Sequence, residues 1–365
     1  MIKKKRLMIV FHDMKLGGIQ KKTIDIVSFI QKNHPNVKIT LCLRNKTGIF
    51  LKQLPQNTIV ISPKFHTPKL DMIWFIFWIS IQLIKYNPTQ ILAFLDLGAI
   101  PSLIATKCIF WHHTPVIIGE DILTSKYVYT ETFPKIRLWL IKTLYPNAHR
   151  VLVQTQIQKN DLDNILNTGS SSLVQVSPNW LPLDYQSLPS IPKKDIDILF
   201  VGRFDPQKNL FFFLDIISDL KKIIPKLLVS MVGNGSDISN LKSYARKNHL
   251  HIQFVPQTLN IKSYYLRSKI YLLTSDYEGF PLTILEAVAC FCLPVLRDLP
   301  EILTFLGPKS PLIFHTRKQA VTTLIHRLTP VDSNLTLLKP IQNRIFATQN
   351  QYLTNYVSQI LISPR

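Results

Sequence analysis

Short apolar runs of strand length alternate with longer runs of helical spacing along most of this chain. The first pair reads RLMIVF (6–11) and, after a Leu-Gly-Gly turn, IQKKTIDIVSFIQKN (19–33), in which apolar residues recur every three or four positions. The first half continues with VKITLCLR, NTIVISP, TQILAFL, PVIIGED and RVLVQTQ. Strands that alternate with helices indicate βα units built on a parallel sheet. We therefore expect an α/β fold.

A proline-rich segment interrupts this alternation, which then starts again. Residues 177–195, SPNWLPLDYQSLPSIPKKD, contain four prolines, a composition typical of a linker. The strand-like runs DILFVGR, KLLVSMVGNG, HIQFVP, KIYLLTS and LPVLR follow, separated by helical runs. We predict two Rossmann-like doubly wound domains that face each other across a cleft, with ligand at the carboxyl ends of the strands. The predicted bounds are 1–182, a linker at 183–195, and 196–345, with a C-terminal helix in 346–365 that packs back on the first domain.

The charge balance and one aromatic stretch bear on possible partners. Lys and Arg number 43 against 22 acidic residues, a formal charge of +21. Such an excess indicates an anionic partner: a phosphorylated substrate, nucleic acid or an anionic membrane. The stretch MIWFIFWISIQLI (72–84) is too short to span a bilayer, which needs roughly 20 residues. A buried helix is the first interpretation, and an interfacial role for its aromatic residues is the alternative.

The cysteines and the N-terminus indicate a cytoplasmic protein. The four cysteines, Cys42, Cys108, Cys290 and Cys292, have no metal-ligand spacing, and a reduced compartment is the simplest interpretation. The basic run at residues 3–6 precedes only five apolar residues, fewer than a signal peptide needs.

Two acidic residues stand in the stretch YEGFPLTILEAVAC, where a predicted strand gives way to a helix. Glu278 falls in the turn, and Glu286 falls about one turn into a helix with Pro281 near its first position. Backbone N–H groups at Phe280, Leu282 and Thr283, together with the helix dipole, would form an anion site. The two carboxylates suit two hydroxyl-bearing groups of one ligand. The alternative is a purely structural role for the two acids, in which one complements the helix dipole in the first turn and the other is a solvated glutamate.

Two other motifs follow predicted strands. In FVGRFDPQKNL, Arg203 and Lys208 could clamp a diphosphate, although a basic surface loop would look the same. Gly17 and Gly18 follow the first strand, where glycine permits close approach of the backbone to a phosphate or sugar. The GNGS sequence at 233–236 is a weaker signal and is not a P-loop, because the Lys-Ser/Thr pair is missing.

Taken together, these motifs resemble the family 4 (group 1) glycosyltransferases, retaining sugar-nucleotide enzymes of the GT-B fold. LGGIQKKTIDI is similar to the family's glycine loop, VSPNWLPLD to its hinge, and VGRFDPQKNL to its Arg and Lys segment. MVGNGSDISNLKSYARKNHL is similar to a further segment, and YEGFPLTILEAVAC carries the paired-glutamate signature. The order and spacing of the five segments extend the resemblance over nearly the whole chain.

The resemblance implies specific roles. Arg203 and Lys208 would bind the donor diphosphate, and Glu286 would hold the ribose hydroxyls. Glu278 would engage the transferred sugar, and the backbone after it would hold the phosphate; Gly18, beside Gly17, would close the site from the first domain. The implied donor-binding residues are Gly17, Gly18, Arg203, Lys208, Gly279, Phe280, Pro281, Leu282, Thr283 and Glu286. No metal and no cofactor is expected, because Arg and Lys supply the positive charge.

The chain departs from the family pattern at three places. Phe291 stands where a glycine is usual, and Pro256 replaces the glycine that ends a strand. The first-domain histidine is missing, with Asp121 at the nearest position. We assign the catalytic candidates as Glu278 and Asp121. Two rivals remain open: a sugar-nucleotide-binding relative with impaired catalysis, and a nucleic-acid-binding protein, which only the charge favours.

The expected activity is transfer of a hexosyl or N-acetylhexosaminyl group from a nucleotide-diphosphate sugar, with UDP preferred. The expected acceptor is a glycan or lipid-linked molecule of cell-envelope polysaccharide, lipopolysaccharide or glycolipid synthesis. A cytoplasmic enzyme that docks on the inner face of an anionic cell membrane, and that binds no nucleic acid, fits the resemblance.

Overall fold

The computed structural model describes residues 5–15, 17–64, 71–109, 114–167, 172–186, 193–328 and 331–361. The chain divides into two compact units: Met1–Asn179 with Gln351–Arg365, and Trp180–Asn350. Each unit contains one parallel sheet with helices between its strands. The predicted α/β class with two doubly wound domains is therefore confirmed.

The first unit contains a seven-stranded sheet in the order β3-β2-β1-β4-β5-β6-β7. Its strands are β1 (Arg6–Phe11), β2 (Lys38–Leu43), β3 (Ile59–Ile61), β4 (Gln90–Phe94), β5 (Val116–Glu120), β6 (Arg150–Val153) and β7 (Val174–Val176). All neighbours are parallel; Ile9 of β1, for example, pairs with Leu41 on one side and Leu92 on the other. The strand order reverses between β1 and β4, which makes the carboxyl ends of these strands a topological switch point.

Six helices accompany these strands along the chain. They are α1 (Gly18–Asn33), α2 (Asp71–Tyr86), α3 (Leu95–Cys108), α4 (Thr124–Tyr127), α5 (Pro134–Leu144) and α6 (Gln156–Leu166). The helix α6 begins with a capping box, in which Thr155 and Gln158 satisfy each other's backbone N–H groups. One apolar core joins α2, α3, α5 and α6 to the sheet through residues such as Phe75, Leu103 and Ile141.

The aromatic helix α2 is buried on one face only. Phe75, Ile79 and Leu83 lie in the core, whereas Phe77 on the other face is 55% exposed. The interpretation of 72–84 as a buried helix therefore holds for one face only, because both faces of α2 are apolar and only one meets the sheet. Within the described part of the chain, helix length and apolarity together fall short of what crossing a bilayer requires.

The second unit contains a six-stranded parallel sheet in the order β10-β9-β8-β11-β12-β13. Its strands are β8 (Ile196–Val201), β9 (Val229–Val232), β10 (Ile252–Val255), β11 (Ser268–Leu273), β12 (Leu293–Arg297) and β13 (Ile313–Phe314). Its helices are α7 (Leu210–Ile223), α8 (Ile238–Lys247), α9 (Ile261–Arg267), α10 (Leu282–Ala289), α11 (Pro300–Leu306), α12 (Arg317–Leu328) and the first part of α13 (Val331–Ile360). The order reverses between β8 and β11, the second switch point of the molecule.

The segment predicted as a linker is partly built into the second unit. Residues 187–192 lie outside the described part of the chain. Before them, Trp180 and Tyr185 are almost completely buried, and Tyr185 packs edge-on against Tyr265. The unit boundary falls at 179/180, earlier than the predicted start of the linker at 183.

The chain returns to the first unit at its C-terminal end. Residues Gln351–Arg365 group with that unit, which places the last turns of α13 there. Lys5 Nζ donates to the carbonyl oxygen of Leu361 at 3.0 Å, and Arg150 donates to that of Gln359 at 3.3 Å. Tyr356 is fully buried with them. The helix expected at 346–365 is thus the end of a longer one.

Candidate functional site

Two loops leave the sheet of the second unit at its switch point, one after β8 and one after β11. Hydrogen bonds join them: Thr274 Oγ1 donates to the carbonyl oxygen of Lys208 at 3.0 Å, and the backbone N–H of Asp276 donates to that of Gln207 at 2.9 Å. Asn209 Nδ2 also donates to Asp276 Oδ1 at 2.8 Å. Ligands of open α/β sheets bind at this position. The two sequence motifs that contain Lys208 and Glu278 therefore lie side by side and form one candidate site.

Glu278 and Lys208 form an ion pair at the centre of these loops. Lys208 Nζ lies 2.5 Å from Glu278 Oε1, and both side chains are largely buried. Ser275 Oγ donates to the same carboxyl oxygen at 2.6 Å, and Gln207 Nε2 lies 3.4 Å from the other. A carboxylate with three partners has a fixed orientation, and its lysine partner can turn toward another anion without leaving the site.

Arg203 occupies a more open position on the same loop. Its guanidinium lies 3.0 Å from Asp205 Oδ2, and its side chain is 52% exposed. The predicted pair of cations is thus divided, with Lys208 held by Glu278 and Arg203 reaching into solvent.

Two glycines of the GNGS sequence hold the loop that carries Arg203. The N–H of Phe204 donates to the carbonyl oxygen of Asn234 at 3.0 Å. A Cβ on Gly233, whose φ is 152°, would lie 1.9 Å from the carbonyl oxygen of Gly202. A Cβ on Gly235 would lie 2.5 Å from that of Phe204. The sequence motif alone is a weak signal for these glycines, because the contact they permit joins two segments that are remote along the chain.

The helix α10 begins where the β11 loop ends. Pro281 is its N-cap in an extended conformation, one position earlier than predicted, and Leu282 is its first residue. The first N–H groups of a helix have no acceptor inside it, and the helix dipole makes that end attractive to anions. Tyr271 Oη donates to Thr283 Oγ1 at 2.7 Å and fixes the first turn. Phe280 packs edge-on against Phe305 of α11.

Glu286 lies inside α10 among tyrosines. It is 2% exposed, so the alternative of a solvated glutamate is excluded. Burial is the first cause that raises the pKa of Tyr265, and the charge of Glu286 is the second. The same two causes, in the same order, raise the pKa of Tyr185. A buried carboxylate accepts hydrogen bonds from hydroxyl groups, which is the chemistry that a ribose diol offers.

Phe291 adopts a conformation that favours glycine. Its φ is 56°, in the left-handed region, directly after the C-cap of α10. A side chain there costs roughly 1 kcal/mol relative to glycine. Lys194 Nζ donates to the carbonyl oxygens of Cys290 and Phe291 at 3.2 and 3.1 Å, which holds the turn in place.

The other predicted site residues lie in the first unit. Gly17 is the N-cap of α1, with extended dihedral angles that any residue can adopt. Asp121 follows β5, and its Oδ1 lies 2.8 Å from the Nζ of the buried Lys22 on α1. The ring of Tyr356 lies 4.9 Å from the same ammonium group. Asp121 therefore has a structural partner in α1, the helix that Gly17 caps and that begins at Gly18.

A buried polar network near Asp121 was missed by the sequence analysis. Asp96, at the start of α3, binds the guanidinium of Arg137 from α5 at 2.5–2.6 Å, and Arg137 also reaches Glu131 at 2.8 Å. Glu120 accepts a hydrogen bond from Tyr145 Oη at 2.8 Å. Burial, followed by the charge of Asp96, raises the pKa of Glu120 well above its ordinary value. The residues are scattered along the chain, so no motif reveals them.

Comparison with known proteins shows the relationship of the second unit. The family "Glycosyl transferases group 1" matches residues 186–321. An Erwinia amylovora glycosyltransferase of amylovoran biosynthesis is 30% identical over 177 residues, 47% of this chain and 49% of that protein. A Campylobacter jejuni N-acetyl-D-galactosaminyltransferase, named for a PP-undecaprenol-linked acceptor, is 28% identical over 176 residues, 48% of this chain and 46% of its own. The matches thus span about half the length of these relatives.

The fold itself is shared over nearly the whole chain. The structure of Anabaena HepE in complex with UDP-glucose superimposes with a TM-score of 0.78 at 16% identity, covering 97% of this chain and 99% of HepE. This likeness establishes the GT-B architecture of two parallel-sheet domains. The family match contains Arg203, Lys208, Glu278 and Glu286, so these four candidate residues lie in the part of the chain that is similar to group 1 glycosyltransferases.

Proposed function

We propose that this protein is a retaining family 4 glycosyltransferase that moves a hexosyl or N-acetylhexosaminyl group from a UDP-sugar. The proposed acceptor is a glycan or lipid-linked molecule in the synthesis of cell-envelope polysaccharide, lipopolysaccharide or glycolipid. The observation that carries the proposal is the ion pair between Lys208 and Glu278, 2.5 Å apart at the switch point beside the first turn of α10. The relative in amylovoran biosynthesis and the UDP-glucose complex of HepE support the pathway and the nucleotide.

In this proposal the second unit binds the donor. The diphosphate lies at the start of α10, where Gly279, Phe280, Pro281, Leu282 and Thr283 form the turn and the first helical residues. Arg203 and Lys208 add positive charge as the diphosphate departs, so that no metal is needed. Preorganised charge of this kind stabilises the transition state more than the ground state.

The two glutamates take different parts of the donor. Glu278, fixed by Ser275 and Lys208, accepts from a hydroxyl of the transferred sugar. Glu286 holds the ribose. Gly17, Gly18 and Asp121 remain predicted donor and catalytic residues of the first unit. The pairing of Asp121 with Lys22 favours one competing candidate, a relative that binds the sugar nucleotide and transfers slowly.

Ligand-induced thermal stabilisation tests the donor assignment. A ligand that binds only the folded protein raises its melting temperature, so UDP and UDP-sugars should do so more than their GDP and ADP counterparts. Glu286→Gln should reduce the shift by UDP, because the ribose contact exists in the bound ground state. Glu278→Gln should leave that shift largely intact and lower kcat instead. The reverse pattern would exchange the two roles, and binding without transfer to any acceptor would favour the impaired relative.

We further propose that the first unit docks on the inner face of an anionic membrane, where a lipid-linked acceptor is presented. The exposed face of α2 carries Trp74 and Phe77, and the segment before and along α5 exposes Phe133 and Trp139, which are 72% and 62% exposed. The helix α3 packs against both α2 and α5. Exposed lysines accompany these rings at positions 85, 126, 135 and 142. Aromatic rings insert at a bilayer interface, and each nearby cation contributes on the order of 1 kcal/mol.

Vesicle flotation measures this docking. Binding should require anionic lipid and weaken as salt rises from roughly 0.05 to 0.5 M, because salt screens the charge attraction. Phe77→Ser combined with Trp139→Ser should reduce the bound fraction. Phe211→Ser, which removes an exposed aromatic ring of the second unit, is the matched control. Trp78 of α2 is not replaced in this test, because it packs against the core and its loss would also affect stability. A protein that stays with the soluble fraction at low salt would refute membrane docking.

A further inference from the structure

Glu301 is a buried carboxyl group to which the proposed function assigns no role. It is the second residue of α11, directly after β12, and only 2% of its surface is exposed. Among the residues that the structure describes, neither carboxyl oxygen has a hydrogen-bond partner of normal geometry. An unpaired carboxylate in such a place is costly, so the environment favours the protonated form.

Glu301 lies behind the turn of the proposed donor site. The backbone N–H of Glu278 is close enough to lower the pKa of Glu301, and the negative charge of Glu278 raises it. Phe305, on the same short helix, packs against Phe280 with ring centroids 4.9 Å apart. The helix α11 is thus attached to the residues that lead into α10, and Glu301 is near the predicted phosphate position without being part of it.

The charges around Glu301 belong to several elements. The nearest acid, Glu278, is balanced by Lys208. Arg297 and Asp298 precede α11 and pair with Asp276 and His315. From α13, Arg344 donates to the carbonyl oxygen of Phe305. Among the described residues these ion pairs leave Glu301 without a cation, and burial, as the largest cause, raises the pKa of this carboxyl group to about 7.

A diphosphate bound at the start of α10 would shift the protonation equilibrium of Glu301 toward the protonated form. It brings negative charge beside Glu278 and draws on Lys208, the cation that offsets the glutamate. Like charge disfavours the ionised form of a neighbouring carboxyl group. We propose that binding of the diphosphate donor in the second unit is coupled to uptake of one proton by Glu301, an inference that rests on the proposed function.

The step is an acid–base equilibrium without further chemistry. A solvent or buffer proton forms an O–H bond with the Glu301 carboxylate when the diphosphate binds, and it returns to solvent when UDP leaves. Glu301 acts as a positioning residue, because it touches neither the sugar nor the phosphate. By linkage, the affinity for the diphosphate must fall as pH rises through the range in which Glu301 ionises.

Calorimetric titration with UDP counts the protons. At about pH 7.5, heats measured in buffers of different ionisation enthalpy should give wild-type uptake that exceeds that of Glu301→Gln by roughly 0.3 to 0.8 proton per UDP, because a carboxyl group with a pKa of about 7 is already partly protonated at this pH. The terminal phosphate of UDP also titrates, but it contributes equally to every variant, so the difference between variants is the result. Glu120→Gln, which alters another buried carboxyl group with a raised pKa, is the control and should match the wild type.

The outcomes separate this inference from the function on which it rests. UDP binding with equal proton uptake in wild type and Glu301→Gln would overturn the proton coupling and leave the donor site intact. Failure of the wild type to bind UDP, GDP or ADP would overturn both. Loss of the excess uptake in Glu301→Gln alone supports the coupling.

A second measurement applies if Glu301→Gln folds poorly. Because the folded-state pKa lies above the ordinary 4.5, the stabilising effect of protonation is complete below about 4.5 and is lost as pH rises through about 7. The wild-type melting temperature should therefore fall over that window, and saturating UDP should move the fall to higher pH. A fall at the same pH with and without UDP would contradict the coupling.

Discussion

Replacing Lys208 with Ala is expected to lower kcat/KM by at least 30-fold, a loss of about 2 kcal/mol of transition-state stabilisation. The reason is the charge that develops on the departing diphosphate, which this ammonium group is positioned to meet. Arg203→Ala should cause a comparable loss. Steady-state kinetics with the donor selected by thermal stabilisation provide the measurement, and a chelator should leave the wild-type rate unchanged.

The environments of the two cations provide a control for folding. Arg203 is half exposed and its ion pair with Asp205 is at the surface, so its loss should leave stability nearly unchanged. Lys208→Ala leaves Glu278 buried without its cation, and adding Glu278→Gln should restore stability without restoring activity. Full turnover in both single variants, or strict dependence on Mn²⁺, would refute the proposed mechanism.

Replacing Lys22 with Met is expected to destabilise the first unit by about 3 kcal/mol. Its ammonium group is 2.8 Å from Asp121 Oδ1, and the two side chains are 2% and 10% exposed. Removal of the cation leaves Asp121 as a nearly buried, uncompensated charge. Denaturant unfolding gives the change in free energy.

A double variant tests whether the role of Asp121 is structural or catalytic. Lys22→Met with Asp121→Leu should recover much of the lost stability, because the apolar pair no longer buries a lone charge. Lys32→Met, at an exposed position on the same helix, should change stability by no more than about 0.5 kcal/mol. A small effect of Lys22→Met would show that the pair contributes little, and would strengthen a catalytic assignment for Asp121.

The periodicity of the sequence predicted most of the sheet strands. RLMIVF coincides with β1, and DILFVGR with nearly all of β8, because strands covered on both faces are continuously apolar. The two-residue strand β13 carries too few residues to show a period. The exposure of one face of α2 could not be predicted either, since its composition is equally apolar on both sides.

The sequence motifs predicted the residues of the candidate site, but only the fold shows which of these residues contact each other. Lys208 and Glu278 are 70 residues apart, and each could be recognised, but their ion pair depends on the adjacency of β8 and β11. Glu301 lies eleven residues after the end of the YEGFPLTILEAVAC stretch, and nothing in its neighbours along the chain signals a buried acid. Its burial results from the packing of α11 against the turn before α10.

The contact between Gly233 and Gly202 restricts how this protein can be redesigned. Any side chain at position 233 would occupy the space of a backbone carbonyl group, 1.9 Å from the added carbon, and that carbonyl cannot move aside as a flexible side chain could. Libraries intended to change the preferred sugar should therefore leave both glycines constant. Arg203 has an open position, so its replacement should change donor binding and leave the fold intact, whereas a side chain at position 233 would disrupt the loop that carries Arg203.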